Sequence, residues 1–269
     1  MATNVDQDSK IIQAFKVFQA ELDQKHDKHE RIVKLSRDVT IESKRVIFLL
    51  QRLSGLEQDS AVLDEAQEKL DLIVKNKFYL IAKELLNEDP FQFLRAYSPG
   101  LQEYIEALSL HHYLKHRKLV ELAYIEKQLS FSNSEDDNDL PADKTKTDNS
   151  DIINVNIPPI EYLLGVADLT GEVMRLAVNS VGAGNLQTPF EVCKFLRTML
   201  SGFSAAGNVS RDFNRKVYTL RQSLAKVENV CYTLQIRGSE IPKTMLKDML
   251  TIGTSEVQMY SDETAGVDY

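Results

Sequence analysis

Apolar residues in the first 54 positions recur at the three- and four-residue spacing of a helical face. Ile11, Phe15, Phe18 and Leu22 form one stripe, and Ile32, Leu35, Val39, Val46, Phe48, Leu49 and Leu53 continue it beyond a polar patch at residues 23–31. The pattern predicts one very long helix or two in series. Glycine and proline number only 11 and 7, and they leave uninterrupted stretches at 1–54, 56–89, 101–140 and 208–237 that helices would fill. Helix starts are marked at Asp89-Pro90, Ser98-Pro99 and Thr188-Pro189, where a capping side chain precedes a proline suited to the first helical position. Thr188 with Glu191 also spells a capping box. Asn-Gly and Asp-Gly turns are absent, and two-residue alternation is confined to IINVNI at 152–157. The fold class is therefore all-α.

Polarity interrupts this pattern in two places. Residues 132–151 carry seven acids and two lysines, net −5, and residues 253–269 carry four acids and no base, net −4. The first segment is too polar to join a core and reads as a disordered acidic loop inserted within one bundle, since neither flank changes in helical character. The expected organisation is a flexible N-terminus at 1–9, one helical domain at 10–250 containing that loop, and an acidic tail at 251–269. The whole chain has a net charge of −8, but outside the two acidic segments it is close to neutral, so a polyanionic partner is compatible with it. At 43% hydrophobic and 27% charged, the composition excludes collagen-like, mucin-like and wholly disordered classes. No apolar run reaches membrane-spanning length, and MATNVDQDSKII lacks the pattern of a signal peptide, so no membrane association is expected and the location is intracellular. Cys193 and Cys231 lie in no CxxC pair, which fits a reducing compartment.

Two segments carry carboxylates that share a helix face. In LQEYIEALS, Glu103 and Glu106 are three apart, and in EYLLGVADLTGEVMR, Asp168 and Glu172 are four apart. Gly165 and Gly171 lie mid-helix beside the second pair, each at a cost of about 1 kcal/mol relative to alanine, which suggests that something approaches closely there. Were the pairs to face each other, like charges about 4 Å apart would repel by roughly 4 kcal/mol, and the cluster would take up protons or bind a cation. Oxygen ligands favour Mg²⁺ or Mn²⁺, and the chemistry implied is metal-assisted phosphodiester hydrolysis. Spacing alone favours the plainer reading of two solvated helix faces, since carboxylates at these intervals are common on surface helices.

Other motifs are weaker. His112 and His116 are spaced for Zn²⁺, but Lys115, Arg117 and Lys118 surround them, so HHYLKHRK reads as a basic surface patch. A di-iron bundle would need a histidine three residues after Glu106, where Ser109 stands. Gly182 and Gly184 belong to a turn, and Cys193 on FEVCKFLRTML reads as a small buried residue. Lys34, Arg37, Lys44 and Arg45 could contact phosphates, although Asp38 and Glu42 are spaced to pair with them along the helix.

KLSRDVTIESKRVIFLLQR, LQEYIEALS, YLLGVADLTGEVMR, TPFEVCKFLR and YTLRQSLAKVENVCYTLQIRGSEIP resemble, in order, blocks of the translin family, over roughly residues 10–131 and 156–250. The resemblance implies a translin-like bundle of about seven helices that assembles with translin into a closed hetero-oligomeric barrel. It implies a Mg²⁺-dependent endoribonuclease of single-stranded RNA that removes passenger strands during activation of the RNA-induced silencing complex and processes tRNA leaders, with single-stranded DNA a second nucleic acid to consider. It places the catalytic and metal-binding acids on Glu103, Glu106, Asp168 and Glu172, a set that marks the catalytic subunit. The alternative is a non-catalytic helical scaffold that covers translin's apolar faces. Relatives often carry a basic N-terminal stretch, whereas MATNVDQDSK has one lysine and two aspartates, so residence is expected to be mainly cytoplasmic, with the nucleus second.

Overall fold

A computed structural model of the chain describes residues 10–53, 60–89, 91–132 and 152–237. Within them are seven helices and one short strand pair. Helix α1 spans Lys10–Leu50 as a single rod about 60 Å long, which settles the choice between one helix and two. Helix α2 occupies 60–84 and is one helix with a π-turn in it: Ser60–Ile73, then Val74–Phe78, then Tyr79–Glu84. Helices α3 (Leu94–His116) and α4 (Leu122–Gln128) follow, then strands β1 (Ser130–Ser132) and β2 (Ile152–Asn154). The chain closes with α5 (Pro159–Gly182), α6 (Thr188–Ala206) and α7 (Arg211–Arg237).

The strands pair antiparallel with Phe131 opposite Ile153. The alternation in IINVNI therefore does mark a strand, and the pair closes the base of the acidic insertion. Of the predicted loop, Ser132 lies in β1 and the remainder is outside the described residues, as are residues 1–9 and 251–269.

Helix α3 lies centrally, packed between α1 and α5, and α5 in turn packs on α6 and α7. Its buried Tyr97, Tyr104 and Tyr113 fill the core with Phe78, Leu101 and Ile105. Close approach of α1 depends on Gly100, where a Cβ would stand 2.6 Å from the Ser36 carbonyl oxygen. The Gly100 N–H instead donates to Ser36 Oγ at 3.1 Å.

Only the second half of the predicted α1 stripe enters this core. Ile32, Val39, Val46, Leu49 and Leu50 are buried, whereas Ile11, Phe15, Phe18 and Leu22 are 57–68% exposed, because no other described element reaches that arm. Phe48, placed in the stripe by its spacing, is 66% exposed.

The start signals fare unevenly. Helix α6 does begin at Thr188-Pro189, but its N-cap is Gln187 with no side-chain cap bond, and upstream Asn185 Oδ1 accepts from the Gln187 and Thr188 N–H groups at 3.1 Å. Pro99 lies inside α3, and the Ser98 hydroxyl donates to Glu161 rather than capping. Of the predicted start at Asp89-Pro90, Pro90 lies outside the described residues; Asp89 Oδ1 accepts from the Phe91 N–H, and the next helix begins at Leu94. Among the described residues no helix is long and apolar enough to cross a membrane.

Candidate functional site

Four helices enclose a cavity of about 490 Å³ whose walls include Glu103 and Glu106 from α3, Asp168, Gly171, Glu172 and Arg175 from α5, Lys44 and Phe48 from α1, and Lys216 from α7. The two carboxylate pairs thus meet across one space. The register is set by Gly165, where a Cβ would stand 2.8 Å from both the Gln102 carbonyl oxygen and the Ile105 Cβ, so α5 can lie directly against α3 only with no side chain there. Gly171 is different: a Cβ there would meet nothing within 4 Å. Close approach therefore explains the first mid-helix glycine and not the second.

Charge in the cavity is unevenly compensated. Glu106 is 9% exposed, and none of the described residues pairs with its carboxylate. Burial, with Asp168, Glu103 and Glu172 adding repulsion, pushes its carboxyl up to about 8, against which the Lys216 ammonium acts. Glu103 is raised by burial too, opposed by Lys44, whose Nζ lies 3.8 Å from it. Asp168 is held by Lys216 Nζ at 2.6 Å. Glu172 accepts from Gln51 Nε2 at 2.6 Å and lies 3.6 Å from Arg175.

The donor set is made of carboxylate oxygens, which suits a hard dication that retains several waters, and the cavity has room for one. Buried Gln51 Oε1 has no donor among the described residues and is one more free oxygen beside Glu172. Asp168 is turned onto Lys216 and Glu172 onto Gln51, and among the described residues no three His, Cys, Asp or Glu side chains form a ready-made metal cage. Direct coordination by the full set would require these side chains to move.

Lys34, Arg37, Lys44 and Arg45 are all exposed on α1. The expected pairing along the helix is not what the structure has, because Asp38 and Glu42 face Lys77 of α2 at 2.8 and 4.0 Å. Among the described residues Lys34, Arg37 and Arg45 make no ion pair, and Lys44 leads from this basic strip into the acid cavity.

Three residues that shape the site are absent from the sequence-based expectations: Gln51, Gln102 and Lys216. Gln102 donates to Glu161 at 2.6 Å and accepts from Lys216 at 3.3 Å, which ties α3 to α5 and α7. A signal for Lys216 does exist. It lies three residues after Phe213 and four before Leu220, both buried, so a lysine interrupts the core-facing stripe of α7.

Comparison with known proteins bears on this arrangement. The translin family model matches residues 27–238. Translin-associated protein X of Pongo abelii is 48% identical over 257 residues, covering 94% of this chain and 88% of that protein. Translin of Gallus gallus is 43% identical over 79 residues, 29% of this chain and 34% of that protein. Among solved structures, a complex of AfC3PO with duplex RNA has a similar fold, with TM-score 0.60 and 14% identity over 85% of this chain and 100% of that one.

Proposed function

Because the chain belongs to the translin family, we propose that it is the catalytic subunit of a Mg²⁺-dependent endoribonuclease that acts on single-stranded RNA in assembly with translin. The observation that carries this reading is the convergence of Glu103, Glu106, Asp168 and Glu172 on one cavity, with Glu106 buried and without an ion-pair or hydrogen-bond partner among the described residues. An arrangement so unfavourable by itself is what a bound cation would relieve. The four acids would hold the ion, with Mn²⁺ an alternative occupant. Bound Mg²⁺ supplies acidification of a water and offsets charge on phosphate oxygens.

The chain's own side chains supply the rest. Lys44 and Arg175 stand at the cavity wall where phosphate oxygens would arrive, and Lys34, Arg37 and Arg45 extend that path along α1. Exposed Phe48 offers a face on which an unpaired base can stack, which favours single strands over duplexes. The duplex RNA seen with AfC3PO supports a nucleic-acid role for the fold. Passenger strands and tRNA leaders are the proposed physiological substrates. The exposed apolar arm of α1 supports a partner-covering role as well, and a scaffold with no catalysis is the competing reading.

Product chemistry separates the two. With water as nucleophile the RNA 2′-hydroxyl takes no part, so cleavage should need Mg²⁺ and leave no 2′,3′-cyclic phosphate. Cyclic phosphate ends, or cutting that survives EDTA, would contradict the proposal. A companion expectation concerns binding: replacing Lys34 and Arg37 by glutamine should weaken RNA affinity and lower the slope of log K against log salt by about 0.7 per residue. An unchanged slope in filter binding would remove both residues from the RNA path.

A further inference from the structure

Lys216 crosses from α7 into the acid cavity, 25% exposed, and donates to three acceptors: Asp168 Oδ2 at 2.6 Å, the Leu164 carbonyl at 3.2 Å and Gln102 Oε1 at 3.3 Å. Phe213 and Leu220, three residues before it and four after it on α7, are both buried. We propose that Lys216 is the resident counter-ion of this cavity, holding Asp168 where a divalent cation would draw on the same carboxylate, so that metal binding competes with the Lys216 contact. This rests on the metal-binding reading of the cavity given above.

The geometry favours competition rather than independent binding. An ammonium and a dication on the two oxygens of one carboxylate repel, so each weakens the other's hold on Asp168. Released Lys216 would not be stranded, since the Leu164 carbonyl and Gln102 Oε1 remain as neutral acceptors on its other side. Its ammonium also lines the same cavity as Glu103 and Glu106, so one side chain offsets negative charge across the cluster. Lys216 is on this view a positioning residue. It keeps the acids compatible with a folded protein before the metal arrives and sets how tightly the metal is held.

The test is Mn²⁺ binding by electron paramagnetic resonance, with thermal melting alongside, on the full chain co-purified with translin. The site's own signal is defined as the binding lost in Asp168→Ala. Lys216→Gln should bind Mn²⁺ about tenfold more tightly than wild type, equivalent to about 1.4 kcal/mol, melt lower without metal, and regain most of the difference with it. Lys216→Arg should keep wild-type affinity, and Lys44→Gln, which removes a nearby but looser charge, should change it less than about threefold. If Lys216→Gln does not fold, Lys216→Met gives the same readout. Equal or weaker Mn²⁺ binding by the neutral variant, with wild-type binding intact, would overturn the counter-ion role and leave the metal site standing. Absence of Asp168-dependent binding in wild type would overturn the metal site and the counter-ion role together.

Discussion

Glu106→Gln should lower RNA cleavage by at least about a hundredfold and at the same time raise the melting temperature of the metal-free protein. The loss follows from the charge stabilisation, several kcal/mol, that a metal held by the acids would contribute to the transition state. The gain follows from the resting structure, where the Glu106 carboxylate is buried, lacks a partner among the described residues and faces three like charges. Glutamine keeps the shape and removes the charge. The same residue gives stability a predictable pH dependence. Its folded carboxyl is raised from 4.5 to about 8, so the stability it contributes is fully present below about 4.5 and is lost as the pH rises through about 8. Metal-free wild type should therefore melt progressively lower from about pH 5 to pH 8, and the slope should be shallower in Glu106→Gln. Mg²⁺ should raise the wild-type curve most at the alkaline end, because a ligand bound only by the folded state stabilises it. Parallel curves for the two proteins, followed by calorimetry, would contradict this description of the cavity.

Gly165→Val is expected to be the most damaging single substitution in the helix that carries Asp168 and Glu172. Its Cβ would overlap the Gln102 carbonyl and the Ile105 side chain at 2.8 Å, and neither can yield without parting α5 from α3. Overpacking of this kind costs about 3 kcal/mol. Because Gln102 also joins Glu161 to Lys216, the displacement would spread to Asp168, and cleavage should fall together with stability. Gly171→Ala is the internal control. Nothing lies within 4 Å of a Cβ there, so relief of the helical glycine should stabilise the protein by about 1 kcal/mol. Urea denaturation of the pair measures both, and similar losses in the two variants would mean that Gly165 does not set the helix register.

These two glycines also show what a sequence can and cannot disclose. Both break helical propensity at the same cost, and only the neighbouring helix distinguishes them. Spacing places Glu103 with Glu106, and Asp168 with Glu172, on common faces because helical periodicity is local. That the faces meet depends on how α3 packs on α5, a relation between residues some sixty positions apart that no local pattern encodes. The same limit accounts for Phe48, whose place in an apolar stripe says nothing of the cavity it borders, and for Ser98, whose hydroxyl finds Glu161 on another helix before it finds its own backbone. Asp38 and Glu42 were spaced for partners on α1, and Lys77 on α2 won because tertiary packing brought it within 2.8 Å of Asp38. Lys216 was legible in principle as a charge on a buried stripe, but a lysine in a basic run draws attention to the surface instead.

The most direct measurement is cleavage of a labelled single-stranded RNA by the chain co-purified with translin, wild type beside Glu106→Gln, each in Mg²⁺ and in EDTA. Cutting by the wild type in Mg²⁺ alone, with the variant no faster than the EDTA background, is the expected result. Equal cutting by both proteins in Mg²⁺ would contradict a carboxylate metal site in this cavity.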